Sequence, residues 1–309
     1  MKIFIKGECA YVPFSKKVER EFGTRRGGKI ILHPIEVTYI VLNRDGVVVG
    51  DGEMGLKDVI DWCMERVKRF TSMYCVYEDL KGKGYRVRFL DDYIVGNLVF
   101  YPIEEHDEIK IGELTKLERF VLSIVDDENE VTYYSVEEVD PVGRNVEDFK
   151  AEGVLIGNRI VTDESIHKRY FYGSLKGEKT FLSIIEGAYL VEKDRLKVYK
   201  GLEVLKFEDL IEIGRMMDSR FERRFEVYRD LKDRGFVVKT GLKFGSDFRL
   251  YESLEDSHSR YLVTIVDDRP LKAFEIVRAV RLANSVKKSM IFVYKDGRNR
   301  YVKFERIKV

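Results

Sequence analysis

The chain has 309 residues, of which 44% are hydrophobic and 35% charged, with 18 Tyr, 19 Phe and a net charge of +1. This composition excludes a disordered chain, and the length calls for at least two folding units. No run reaches the roughly 18 apolar residues of a membrane span, and Met1-Lys2-Ile3-Phe4-Ile5-Lys6 meets charge too early for a secretory leader, so a cytoplasmic protein with no membrane association is expected. Cys9, Cys63 and Cys75 are odd in number and form no C-x-x-C pair, as in a reducing compartment, and no chemistry is assigned to them. The absence of Gln beside abundant Lys, Arg and Glu points to a thermophile. The balanced net charge is silent about nucleic acid, where local clusters of Lys and Arg decide.

In chain order, Phe22-Gly23-Thr24-Arg25-Arg26-Gly27-Gly28-Lys29 leads into a helix with Ile35, Tyr39 and Ile40 at helical spacing. A second helix, containing Val76-Tyr77-Glu78-Asp79-Leu80-Lys81, ends at Gly84, which supplies a left-handed cap before a strand. Further strands and one more helix follow, and Asp140-Pro141-Val142-Gly143-Arg144-Asn145 with the polar run to Gly153 reads as a linker. The pattern then returns: Tyr172-Gly173-Ser174-Leu175-Lys176-Gly177-Glu178-Lys179 answers the first segment, and Val227-Tyr228-Arg229-Asp230-Leu231-Lys232 with Gly235 answers the second at nearly the same offset. A tandem duplication of a small α/β unit is therefore expected. The first copy is the shorter one and lacks the segment corresponding to Tyr251 and His258, so chemistry is expected only in the second copy.

In that copy, Phe248-Arg249-Leu250-Tyr251 alternates strictly, which sends Phe248 and Leu250 into the core and places Tyr251 away from it. His258 sits in the polar loop Glu255-Asp256-Ser257-His258-Ser259, just before the apolar run Tyr261 to Val266. His33, His106 and His167 read as structural or solvated, and no two histidines have ligand spacing, so no metal site and no cofactor are expected. A helix from about Leu271 to Lys287 buries Ala273, Ile276, Val277, Val280 and Ala283, with Arg278, Arg281, Ser285 and Lys288 along one flank. Tyrosine, histidine and lysine together suit RNA cleavage by its own 2′-hydroxyl, which needs a proton acceptor, a proton donor for the departing 5′-oxygen and a cation for the phosphorane. Histidine, with a pKa of about 6.5, suits the acid, whereas a tyrosine of pKa about 10 needs nearby positive charge to act as base.

The three blocks Lys243-Phe244-Gly245-Ser246-Asp247-Phe248-Arg249-Leu250-Tyr251, His258-Ser259-Arg260-Tyr261-Leu262-Val263 and Arg278-Ala279-Val280-Arg281-Leu282-Ala283-Asn284-Ser285-Val286-Lys287-Lys288 resemble, in order, the catalytic blocks of archaeal tRNA-splicing endonucleases. The duplication, with Arg169-Tyr170-Phe171-Tyr172-Gly173-Ser174 opening the second copy, resembles the homodimeric class of two-repeat chains. The resemblance implies that each repeat is a small α+β N-terminal subdomain followed by a restriction-endonuclease-like α/β subdomain with a central mixed sheet. The implied divisions are 1–69 and 70–140 for the first repeat, its endonuclease-like part being non-catalytic, then the linker 141–153, then 154–220 and the catalytic 221–309. It further implies that Tyr251 is the general base, His258 the general acid and Lys288 the transition-state cation. The substrate would be precursor tRNA folded as a bulge-helix-bulge, cut without metal to a 2′,3′-cyclic phosphate and a 5′-hydroxyl. Arg281 and Arg306 match the arginines that sandwich a bulged base, and Asp126, Asp127, Glu128 and Glu130 match an acidic loop that docks into a basic groove of the partner subunit.

Two departures from the family stand out: the loop from Tyr251 to His258 is shorter than usual, and Lys287 stands where arginine is common. Tyr261 is a fallback base. Two competing readings are a non-catalytic structural or RNA-binding subunit, which the complete Tyr, His and Lys blocks disfavour, and a metal-dependent nuclease. The latter would use Glu305 with Asp267 and Asp268 but lacks a Glu-x-Lys pair beside them.

Overall fold

The computed structural model describes residues 1–50, 52–115, 119–267 and 269–309. The chain divides into two compact units, one of residues 1–137, 270–277 and 305–309, the other of residues 138–269 and 278–304. Asp268, one of the acids considered for metal binding, lies outside the described residues.

In the first unit the strands Lys2–Lys6, Cys9–Pro13, Thr24–Arg26, Lys29–Leu32, Val47–Val49 and Glu53–Met54 form a six-stranded mixed sheet. The helix Pro34–Asn43 crosses between Lys29–Leu32 and Val47–Val49, and Val47–Val49 pairs parallel to Lys2–Lys6. Its start is set by residue type: His33 caps the helix by accepting from the Ile35 amide, and Glu36 reaches back to the amides of His33 and Gly23. The Phe70–Gly82 helix ends at Gly84, whose φ of 84° is left-handed, and the next strands begin. These are Arg88–Leu90, Tyr93–Val95, Val99–Glu104, Arg119–Val125 and Val131–Val139, with Val99–Glu104 parallel to Arg119–Val125 and the other neighbours antiparallel.

The second unit is described by the same sequence of devices. Its first sheet contains Ala151–Ile156, Arg159–Asp163, Ser174–Lys176, Lys179–Leu182, Leu196–Lys200 and Glu203–Leu205. The helix Ile184–Glu192 is capped by Ser183, and Glu186 accepts from the amides of Ser183 and Gly173. Gly173 has a φ of 54° and lies so close to the facing strand that a Cβ would meet the Phe181 carbonyl oxygen at 2.3 Å, so glycine is required there. The Phe221–Asp233 helix ends at Gly235, with a φ of 85°.

A second sheet follows in the order Val237–Thr240, Phe248–Tyr251, Tyr261–Ile265, Ser289–Asp296, Arg298–Ile307. Tyr261–Ile265 and Ser289–Asp296 run parallel because the Ala273–Ser285 helix crosses between them. The core of the unit joins both sheets through Ile160, Leu182, Leu210, Phe225, Leu231, Phe236, Leu250 and Ile291.

The stretch from Pro141 to Lys150 has no regular structure, and the residues from Ala151 onward already belong to a strand. It is nonetheless fixed to the second unit. The amides of Gly143 and Asn145 donate to the carbonyls of Arg234 (2.9 Å) and Gly235 (2.9 Å), and a Cβ on Gly143 would lie 2.2 Å from the Gly235 oxygen. Among the described residues no helix is long and apolar enough to cross a membrane. Cys9 is exposed, Cys63 and Cys75 are buried, and all three are free thiols.

Candidate active site

The strand Phe248–Tyr251 pairs with Val237–Thr240 on one side and Tyr261–Ile265 on the other, with Tyr251 opposite Val237 and Arg249 opposite both Lys239 and Leu262. Phe248 and Leu250 enter the core as their alternation requires. Tyr251 points to the other face, but the expectation that this takes it away from the interior is corrected: the residue is only 6% exposed. The reason is a ring from the first sheet's side of the unit. Phe171 sits 5.5 Å from the Tyr251 ring at 77°, an edge-to-face contact.

Phe171 terminates the short Ser165–Tyr170 helix in a left-handed conformation (φ 57°). The Lys239 ammonium holds it there, donating to the carbonyls of Phe171 (2.9 Å) and Gly173 (2.6 Å) and lying 4.8 Å from the Phe171 ring. Burial lowers the Lys239 pKa, and Glu186, 3.8 Å away, works against that shift. Arg249 brings a second cation, its guanidinium carbon 5.7 Å from the Tyr251 ring centroid. Phe171 and Lys239 were not singled out by sequence. Phe171 could have been found, because it lies inside the Arg169-to-Ser174 block that opens the second copy.

His258 is exposed on the loop between Tyr251 and Tyr261. The loop is braced internally: the Asp256 carboxylate accepts from the Ser253 amide at 2.8 Å, and Arg260 pairs with Glu252 at 2.7 Å. The Tyr261 hydroxyl donates to the same Glu252 carboxylate at 3.3 Å, so the fallback base is engaged by an acid.

Lys288 is placed differently from the flank position expected on a helix running to Lys287. The helix ends at Ser285, Lys287 adopts a left-handed φ of 56°, and the Lys288 amide donates back to the Ala283 carbonyl. Lys288 thus stands at the exit of the helix, just before the strand Ser289–Asp296. From there its ammonium donates to the carbonyl of Ser259 at 2.8 Å, next to His258. Burial, and then the charge of Arg249, lower the Lys288 pKa. Arg249 therefore acts on both Lys288 and the Tyr251 ring, and the hydrogen bond to Ser259 ties the third residue to the loop of the second.

Arg281 is exposed on the Ala273–Ser285 helix, whose buried face is Ala273, Ile276, Val280 and Ala283, and Arg306 is exposed on Arg298–Ile307 in the first unit. In the acidic turn the Asp126 carboxylate folds back to accept from the amides of Glu128 (3.0 Å) and Glu130 (2.9 Å), while Asp127, Glu128 and Glu130 are exposed. His106 lies 3.3 Å from Glu105 and 3.6 Å from Asp127. Asp267, considered for metal binding, is held by Arg223 at 2.7 Å.

Residues 221–303 match the family model of the tRNA intron endonuclease catalytic C-terminal domain, and residues 151–211 match that of the N-terminal domain. A tRNA-splicing endonuclease of Methanosarcina barkeri is 29% identical over 326 residues, covering 93% of each chain. Those of Thermococcus onnurineus and Pyrococcus horikoshii are 41% and 40% identical, over 46% and 51% of this chain and 85% and 96% of their own. Since both domain models match in order and relatives at this identity align along nearly their whole length, the chain belongs to the tRNA-splicing endonuclease family.

Proposed function

We propose that this enzyme excises introns from precursor tRNA by attack of the ribose 2′-hydroxyl on the adjacent phosphate. Tyr251 takes the 2′-hydroxyl proton, the new P–O2′ bond forms, and the P–O5′ bond breaks as His258 gives its proton to the leaving 5′-oxygen. The products are a 2′,3′-cyclic phosphate and a 5′-hydroxyl, and solvent resets both residues. Lys288 carries the positive charge that the phosphorane needs, and no metal is assigned a role. The observation that carries this reading is the Lys288 ammonium on the Ser259 carbonyl, which couples the cation to the backbone of the histidine loop. Arg249 supports the assignment of Tyr251 by placing a fixed positive charge 5.7 Å from its ring centroid.

The proposal extends to architecture and substrate. Support for tandem duplication, with divisions at 1–69, 70–140, 141–153, 154–220 and 221–309, comes from the equal strand orders of the two units and from the paired roles of Glu36 with Gly23 and Glu186 with Gly173. Arg281 and Arg306 would each offer a guanidinium plane to the bases of a bulge-helix-bulge RNA. In a homodimer the turn carrying Asp127, Glu128 and Glu130 would enter a groove of the partner. The second unit offers a cavity of about 550 Å³ whose lining includes Arg159, Arg224 and Lys239 against Glu186 and Asp218. Such a substrate would place the protein in the cytoplasm.

The test is cleavage of a bulge-helix-bulge RNA in excess EDTA by the wild type, His258→Ala and Tyr251→Phe, with the product ends identified chemically. Cyclic-phosphate ends from the wild type, with both variants slowed by about 100-fold or more, are expected. Cleavage that requires added magnesium, or variants as fast as wild type, would refute the mechanism.

A further inference from the structure

The loop that carries His258 is short, and its entry is held from outside by the segment that composition marks as a linker. The Arg144 amide donates to the Glu252 carbonyl at 2.7 Å, directly after Tyr251. The Asn145 side chain then bridges two elements: its Oδ1 accepts from the Leu254 amide at 3.0 Å, and its Nδ2 donates to the Gly235 carbonyl at 3.0 Å. The Asn145 backbone amide donates to that same Gly235 oxygen at 2.9 Å, so both lone pairs of one carbonyl hold this residue. Gly235 caps the Phe221–Asp233 helix, a rigid element of the core. The contact is close enough that neither glycine tolerates a side chain easily: a Cβ on Gly143 would lie 2.2 Å from the Gly235 oxygen, and one on Gly235 3.0 Å from the Gly143 oxygen.

We propose that Asn145 is a positioning residue for the general acid, fastening the Glu252–Leu254 end of the loop to the helix cap so that His258 meets the leaving oxygen. The other end is held at Ser259 by Lys288. His258 is suspended between two anchors, one on the sheet side and one on the strap. A side chain able to accept and donate at once is needed at 145, because Leu254 presents an amide and Gly235 a carbonyl. Asparagine does both while remaining uncharged. The inference rests on His258 being the acid that protonates the 5′-oxygen.

The experiment compares two bulge-helix-bulge RNAs under single-turnover conditions, one with the natural 5′-oxygen at the scissile phosphate and one with a bridging 5′-sulfur, a leaving group that needs no protonation. Asn145→Ala should cleave the oxygen substrate about 10- to 100-fold more slowly at unchanged RNA affinity, and should cleave the sulfur substrate within about twofold of wild type. His258→Ala serves as the reference and should also be rescued by sulfur. Asn145→Asp, which keeps the acceptor for Leu254 but loses the donor to Gly235, should show a smaller defect of the same kind. An equal loss on both substrates, or no loss on either, overturns the role of Asn145 while His258→Ala is rescued. Failure of sulfur to rescue His258→Ala removes the general-acid reading and the inference with it.

Discussion

Replacing Lys288 by methionine separates the catalytic role proposed for this residue from its structural one. The methionine keeps an apolar stem of similar length and removes the ammonium that donates to Ser259 at 2.8 Å. Ser259 is only 4% exposed, so its carbonyl loses a partner, and the folded state should lose about 1 kcal/mol, a fall in Tm of about 1–2 °C for a chain of this size. Under the proposed mechanism the loss of the cation that stabilises the phosphorane is larger, about 100- to 1,000-fold in the chemical step. The assay is single-turnover cleavage at saturating RNA, well below the melting transition, as a function of pH. Because burial and Arg249 lower the Lys288 pKa below its ordinary value, the wild type should lose activity as pH rises through that lowered value. Lys288→Arg, which stays protonated throughout, should recover part of the rate and lack that alkaline decline. A Lys288→Met enzyme within about threefold of wild type, or one whose whole defect lies in KM, would refute a transition-state role.

Two further outcomes are expected. Burial lowers the His33 pKa from 6.5 to about 4, so between those values the unfolded chain binds the proton that the folded chain refuses. Stability from this site is complete above pH 6.5 and lost as pH falls toward 4, by up to about 3 kcal/mol. His33→Ser retains a capping oxygen, as Ser183 does in the second unit, and should flatten this part of the stability profile measured by denaturant unfolding; an unchanged slope would contradict it. Reversing the charge of Asp127 and Glu128 should shift the protein toward monomer on a sizing column, since both are exposed on a turn whose backbone is already held by Asp126. An unchanged elution would separate the acidic turn from assembly.

Much of the second unit was legible because its signals are local. The alternation of Phe248, Leu250 and Tyr251, the left-handed glycine at 235 and the spacing of Ala273, Ile276, Val280 and Ala283 each reflect backbone geometry within a few residues, and each is realised. Tyr251, His258 and Lys288 were singled out for a different reason: few side chains can move protons and hold a phosphorane, and the blocks that carry them resemble those of a known family. What the sequence could not decide is which residues far along the chain come to rest against these three. Alternation turned Tyr251 to the outer face, and only the fold brought Phe171 over it, with Lys239 holding that ring's backbone. Periodicity carried the helix on to Lys287, and only the left-handed turn at that residue put Lys288 on the Ser259 carbonyl. Composition marked the stretch after Asp140 as a tether, and only its hydrogen bonds to Gly235, Glu252 and Leu254 make it a brace. Local propensity sets the conformation of each segment. The partner of a side chain across the fold is settled by close packing and by the need of every buried donor and acceptor for its complement, and these conditions exist only once the segments have met.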